Sequence, residues 1–247
     1  MTDNIYESPR LLAEYLLLHY GSEEDVLGAM PGPDGAVGFA TRLVRELLAP
    51  VPEKARALDL GCAVGASSFE LALSCSEVIG IDFSRAFINA ARTLAETGSH
   101  DYEKIIEGSI TAPSTARVPQ GVDRSRVRFE QGDAMDFSSP ESFDVVLAAN
   151  LLCRLPDPRR LIARLPGLVR GGGQLLLTTP FTWLEEFTPK ANWIGGTPEI
   201  GRSFDALQAL LDPHFALEHA ADVPFLIREH SRKFQYGIAC GSRWRRR

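Results

Sequence analysis

The chain has 247 residues, of which 45% are hydrophobic and 23% charged, with a formal net charge of -6. A chain of that length and composition buries a full core without disulfide or metal staples. An acidic balance repels phosphate backbones and argues against a nucleic-acid partner. The four cysteines, Cys62, Cys75, Cys153 and Cys240, form no CxxC pair and have no Cys/His spacing suited to zinc, so no metal site is expected. No stretch is apolar for long enough to cross a bilayer. No leader pattern is visible, so a reduced, cytoplasmic protein is expected. The basic run Arg243, Arg245, Arg246 and Arg247 reads as a solvated tail.

In chain order, Pro9 to Tyr20 reads as a helix, started by Pro9 and stopped by Gly21. Residues 21–35, rich in Gly, Pro and acid, read as a loop. A second helix follows from about Val37 to Leu48, ended by Pro50 and Pro52. Residues 1–50 are therefore expected to cap a core over 55–242, the whole forming one domain. Strands and helices then alternate. Strands are expected at 57–60, 78–82, 126–130, 143–149 and 174–179, with helices near 67–73, 84–97 and 158–169. Residues 98–124 read as a polar insertion. The loop 180–201 carries Phe181, Trp183, Phe187 and Trp193; a helix at 203–211 and two strands at 215–223 and 234–242 close the chain. Such alternation builds a parallel sheet with helices on both faces.

Four strand ends carry chemistry. Leu58-Asp59-Leu60-Gly61-Cys62-Ala63-Val64-Gly65 is a buried strand, an acid, two glycines four apart and then a helix start. Gly61 permits close approach of a ligand and Gly65 a tight helix start. Dinucleotide sites instead use G-x-G-x-x-G to seat a pyrophosphate. Here Asp59 stands at the entrance, which suits a cationic ligand. Asp82, followed by Phe83, lies at the end of the next strand, where a carboxylate can accept two ribose hydroxyls; Ser84 supplies the helix cap. Asp133, with Ala134 and Met135, follows the third strand and can meet an adenine amine and ring. Asn150 ends the fourth strand, and Arg154 follows it.

Together these motifs resemble the class I S-adenosylmethionine-dependent methyltransferases. The resemblance implies an α/β Rossmann-like fold, a seven-stranded mostly parallel sheet whose last strand is antiparallel, and an N-terminal helical cap. It implies S-adenosylmethionine as cofactor, leaving as S-adenosylhomocysteine, held by Asp59, Gly61, Cys62, Gly65, Asp82, Phe83, Asp133, Ala134, Met135 and Asn150. Asn150 and Arg154 would lie beside the reacting methyl.

A narrower resemblance rests on Tyr6-Glu7-Ser8, on residues 14–21 (EYLLLHYG), 148–156 (AANLLCRLP) and 178–189 (TTPFTWLEEFTP), and on 228–234 (REHSRKF). These look like the methyltransferase module of ovothiol biosynthesis, the 4-mercaptohistidine (5-thiohistidine) N1-methyltransferases, in a stand-alone form. Many members are fused behind an iron-dependent sulfoxide synthase, so a separate synthase would supply the substrate here. The implied reaction methylates the imidazole π nitrogen of 5-thiohistidine to give ovothiol A. Another small thiol, imidazole or amine metabolite is the alternative acceptor. Candidate substrate contacts are Tyr6, Tyr20, Phe181, Trp183, Glu185, Trp193, Arg228 and His230. The oligomeric state is not legible.

Overall fold

A computed structural model describes residues 5–247. Ser8 opens helix α1 (Pro9–Tyr20) by accepting the Leu11 N–H at 3.2 Å, and Gly21 N–H returns to the Leu17 carbonyl at 2.8 Å to end it. Within the expected loop, Ser22 and Asp25 form a capping box that starts a short helix, α2 (Glu23–Leu27). Helix α3 (Phe39–Leu47) follows.

Strand β1 (Arg56–Leu60), helix α4 (Ala66–Leu71), strand β2 (Glu77–Asp82) and helix α5 (Arg85–Thr97) begin the alternation. A hairpin, β3 (Ser99–Glu107) and β4 (Ile110–Arg117), fills the polar insertion. Strands β5 (Val127–Gln131) and β6 (Phe143–Ala149), helix α6 (Pro158–Leu168), strand β7 (Val169–Thr179) and helix α7 (Ser203–Leu211) continue it. Strands β8 (Phe215–His230) and β9 (Lys233–Arg246) end the chain.

The main sheet has seven strands in the order β5-β2-β1-β6-β7-β9-β8. The first five pair in parallel and β9 runs antiparallel to both neighbours. Period-two alternation sends Leu58 and Leu60 to one core with Leu161, Leu165 and Leu207 of α6 and α7. Ala57 points to the other core, with Leu16, Phe39, Phe69 and Phe87 of α1, α3, α4 and α5. The strand order reverses between β1 and β6, and the carboxyl ends there form a rim.

Two expectations are corrected. The final strands run much longer than 215–223 and 234–242 because Pro224 does not stop β8. As the edge strand, β8 tolerates a missing N–H on its open side. The terminal arginines are also not a free tail: Arg243 and Arg245 of β9 both pair with Glu218 of β8, at 3.1 and 2.9 Å.

β7 pairs with β9 only over Gln174–Thr179, so the rest of the β8–β9 hairpin extends past the carboxyl edge. Its tip meets the β3–β4 hairpin, where the Ser231 N–H and hydroxyl both donate to the Ile106 carbonyl, at 3.1 and 2.8 Å. Lys104 and Arg228 donate to the Asp25 carbonyl of α2, at 3.2 and 2.8 Å. The two hairpins, α1 and α2 thereby form a continuous cap above the rim. No helix among the described residues is long and apolar enough to cross a membrane.

The Phe129 ring is wedged between two glycines: a Cβ on Gly65 would lie 2.5 Å from it, and one on Gly80 2.6 Å. Substituting Gly80→Ala is therefore expected to overpack the sheet and lower stability by about 1–3 kcal/mol, read by urea denaturation. An unchanged midpoint would contradict this wedge.

Candidate active site

The β1–α4 loop is built by positive φ angles at Gly61 (72°), Ala63 (48°) and Gly65 (89°). The Gly61 and Cys62 N–H groups both donate to the Ile81 carbonyl, at 2.8 and 3.0 Å, so the loop leans on β2. Asp82 completes the attachment. Its carboxylate accepts the Ala63 N–H at 2.9 Å and the Ser84 N–H at 2.8 Å, fixing the loops after β1 and β2 together. The Gly132 N–H donates to the Asp82 carbonyl at 2.9 Å, which ties in the end of β5 as well.

Asp59 points from β1 toward α4, where one carboxylate oxygen accepts the Ser68 hydroxyl at 2.7 Å. The other, Oδ1, is buried and has no hydrogen-bond partner among the described residues. Burial pushes the Asp59 carboxyl up to about 7, against the Ser68 hydrogen bond and with help from the Asp82 charge. Asp82 is likewise pushed up to about 6 by burial, its N–H bonds opposing the shift. Neither acid pairs with a cation among the described residues. Burial also raises the Cys62 thiol.

Phe83, beside Asp82, is 64% exposed on the rim. Asp133 turns the chain after β5 by accepting the Met135 N–H at 2.8 Å, while Ala134 and Met135 bury themselves in the core on the α6 side. Asn150 sits at φ 50°, locked to β7 because its N–H donates to the Thr178 carbonyl at 2.8 Å and its Oδ1 accepts the Thr178 hydroxyl at 3.0 Å. A Cβ on Gly61 would meet Leu151 at 2.9 Å, so the loops after β1 and β6 touch across the strand-order reversal.

The segment preceding and including α1 closes on this rim. The Tyr20 hydroxyl donates to the Val64 carbonyl at 2.7 Å, and the Ala66 N–H donates to His19 Nδ1 at 3.3 Å. Burial lowers His19 to about 4, so its imidazole is neutral and remains an acceptor. The Ser84 hydroxyl donates to the Tyr6 carbonyl at 3.0 Å, and the Glu7 carboxylate accepts the Arg85 and Ala86 N–H groups at the start of α5, at 2.8 and 3.2 Å. Tyr6 and Tyr15 pack on Phe87, with ring centroids 5.8 and 4.7 Å away. The Tyr6 phenol meets the Arg154 guanidinium in a hydrogen bond. Arg154 itself lies over the Phe187 ring at 4.7 Å.

Several expected substrate contacts fall elsewhere. Arg228 is buried, and its Nη1 donates to the Asp25 and Val26 carbonyls. It lies beside Ala13, Glu14 and Leu17 of α1. At 100° per residue that face is opposite the one carrying Tyr15 and His19, so α1 stands between Arg228 and the glycine loop. His230 sits at the hairpin tip and accepts the Arg232 N–H at 3.2 Å. Trp183 and Trp193 stack at 6.4 Å and donate to the Ser203 hydroxyl and the Thr188 carbonyl, so they brace the loop rather than cover an open cleft. Phe181 packs against the α6-side core at φ 50°, and Glu185 is exposed. Glu7, Ser68 and Thr178 also join the site, and their contacts have no local signal: the partners lie 78, 9 and 28 residues away.

Residues 58–177 match the family described as a methyltransferase domain. The cofactor of this class is S-adenosylmethionine, and the rim fits it: a buried and a half-buried acid without cations, an orphaned Asp59 oxygen, a glycine loop at positive φ and an exposed aromatic beside Asp82.

Similar proteins include a ubiquinone biosynthesis O-methyltransferase from Stutzerimonas stutzeri, 30% identical over 50% of this chain and 44% of its own length. A trans-aconitate 2-methyltransferase from Methylobacterium radiotolerans is 33% identical over 57% of this chain and 44% of its own. The matched stretch is thus under half the length of these relatives.

Among solved structures, the N-methyltransferase NodS from Bradyrhizobium japonicum with S-adenosylhomocysteine aligns with a TM-score of 0.53 at 16% identity, over 95% of this chain and 98% of that one. The [4+2]-cyclase SpnF aligns at 0.60 and 16%, over 98% and 93%. The fold is that of the class I methyltransferases; since a cyclase shares it, the activity has to be argued from the site.

Two outcomes are expected. An acid whose folded pKa is raised above the ordinary 3.9 or so keeps its proton on folding while the unfolded chain loses it. Asp59 and Asp82 therefore make the ligand-free protein less stable as pH rises from about 4 to about 7. A bound cation favours the ionised acids, so S-adenosylmethionine should bind tighter as pH rises, by up to about a hundredfold per pH unit below 6, where both acids release a proton, and about tenfold between 6 and 7, levelling off above 7, by calorimetry. A flat affinity between pH 5 and 8 would contradict this. The substitution Asp82→Asn should weaken binding by about 1.5–3 kcal/mol. An unaltered dissociation constant in the folded variant would remove Asp82 from the cofactor site.

Proposed function

We propose that the chain is an S-adenosylmethionine-dependent N-methyltransferase acting on the imidazole π nitrogen of 5-thiohistidine, with ovothiol A and S-adenosylhomocysteine as products. The observation that carries this reading is a convergence. Residues 6–8, 14–21, 148–156 and 178–189, which carry the ovothiol-family resemblance, all meet at the rim formed by Asp82 and the glycine loop. The fifth stretch, 228–234, lies at the β8–β9 hairpin tip and buttresses α2.

The cofactor supplies a methyl group activated by a sulfonium. Asp82, restricted to one orientation by its two N–H donors, would accept the nucleoside hydroxyls. The segment from Tyr6 through α1, with Tyr6, Tyr15 and Phe87 in contact, would exclude water from the transfer geometry. Asn150, immobilised by Thr178, and Arg154 border the site where the acceptor nitrogen must sit. The acceptor nitrogen forms its bond to carbon as the carbon–sulfur bond breaks, and the proton on the other ring nitrogen is released to solvent. A neutral imidazole has a usable lone pair near pH 7, so no strong base is needed. His19, held by the Ala66 N–H, is already engaged structurally.

A coarser reading is methyl transfer to another small molecule, such as a thiol, imidazole or amine; the relatives are named for ubiquinone biosynthesis O-methylation and for trans-aconitate. Incubating the protein with S-adenosylmethionine and 5-thiohistidine should give a mono-methylated product by mass spectrometry, with the methyl on the π nitrogen by NMR. Turnover of a different acceptor with none on 5-thiohistidine would leave only the coarser reading.

A further inference from the structure

Arg154 brings a guanidinium to the rim, beside the acceptor position proposed above. It pairs with no carboxylate among the described residues. Its Nη1 donates to the Cys153 carbonyl at 3.2 Å and, at a longer 3.4 Å, to the Thr182 carbonyl, while its flat face covers Phe187 at 4.7 Å. A guanidinium has five donors, so the side chain keeps donors in reserve. Carbonyls and an aromatic face orient a guanidinium but do not neutralise it. Neither Asp82 nor Asp59 forms an ion pair with Arg154, whose spare donors therefore face the rim without a carboxylate partner among the described residues. An anionic group of the acceptor can take those donors.

The second element is Tyr6. Its phenol meets the same guanidinium, yet its backbone belongs to the N-terminal segment, held by the Ser84 hydroxyl at 3.0 Å. Arg154 belongs to the loop after β6. A hydroxyl donor and a guanidinium fork converging from two different parts of the chain make a two-sided anion grip.

We infer that Arg154 and Tyr6 clamp a carboxylate of the methyl acceptor, so that the acceptor class is a small carboxylic acid whose binding joins the N-terminal segment to the loop after β6. This rests on the methyl-transfer reading of the rim but not on 5-thiohistidine being the acceptor.

The test is calorimetry on the protein saturated with S-adenosylhomocysteine, titrated with matched pairs: 5-thiohistidine, histidine, cysteine and trans-aconitate, each against its carboxamide. At least one free acid should bind about tenfold or more tighter than its amide. Arg154→Gln should abolish that preference, Arg154→Lys should retain part of it and Tyr6→Phe should reduce it, with S-adenosylhomocysteine affinity unchanged within about twofold. Acid and amide binding alike, or neither binding, overturns the clamp, as does an undiminished preference in Arg154→Gln. A preference seen only with an acid other than 5-thiohistidine supports the clamp and sinks the thiohistidine reading. Should Arg154→Gln fail to fold, Arg154→Lys and Tyr6→Phe decide: preference untouched in both overturns the proposal.

Discussion

Asp82 joins three strand ends. Its carboxylate takes an N–H from the loop after β1 and another from the start of α5, and its carbonyl takes one from the end of β5. Holding an acid in a buried position without a cation is unfavourable, and the raised pKa expresses that cost. Two amide donors keep the group there and oriented. The fold thus keeps acids without cation partners at the reversal of strand order, where a cationic nucleoside would offset them. Asp59, with an oxygen buried and unpartnered, extends the same arrangement beneath the glycine loop.

The cap follows from this arrangement. A loop at positive φ with a carbonyl and an N–H facing outward needs partners, and α1 supplies them through Tyr20 and His19. The opposite face of α1 rests on the hairpins, where Arg10, Glu14, Glu229 and Lys233 form a charged row. α1 is therefore held on both sides, between the chemistry and a scaffold built from the β3–β4 and β8–β9 hairpins.

Much of this was legible along the chain. The helix from Pro9 to Tyr20, the Ser84 cap and the acids closing β1 and β2 are local signals: a proline at a first turn, a serine before an apolar run, an aspartate ending an apolar strand. The β3–β4 hairpin was not legible, because its strands are polar and only half-buried, so no apolar alternation marks them. Pro224 misled for a different reason: whether a proline ends a strand depends on which edge is open, and that is set by topology. Substrate contacts were hardest. Arg228 and Trp193 have the right chemistry, but Arg228 Nη1 and Trp193 Nε1 are engaged by carbonyls that a linear reading cannot locate. Glu7 was passed over although it meets the start of α5, 78 residues away in the chain.

The most direct measurement of the central claim is a crystal structure of the complex with S-adenosylhomocysteine. The account predicts the ribose hydroxyls on the Asp82 carboxylate and the amino-acid end above Gly61, with the α1 segment closed over both. A nucleoside bound away from Asp82, or a rim left empty at saturating ligand, would contradict it.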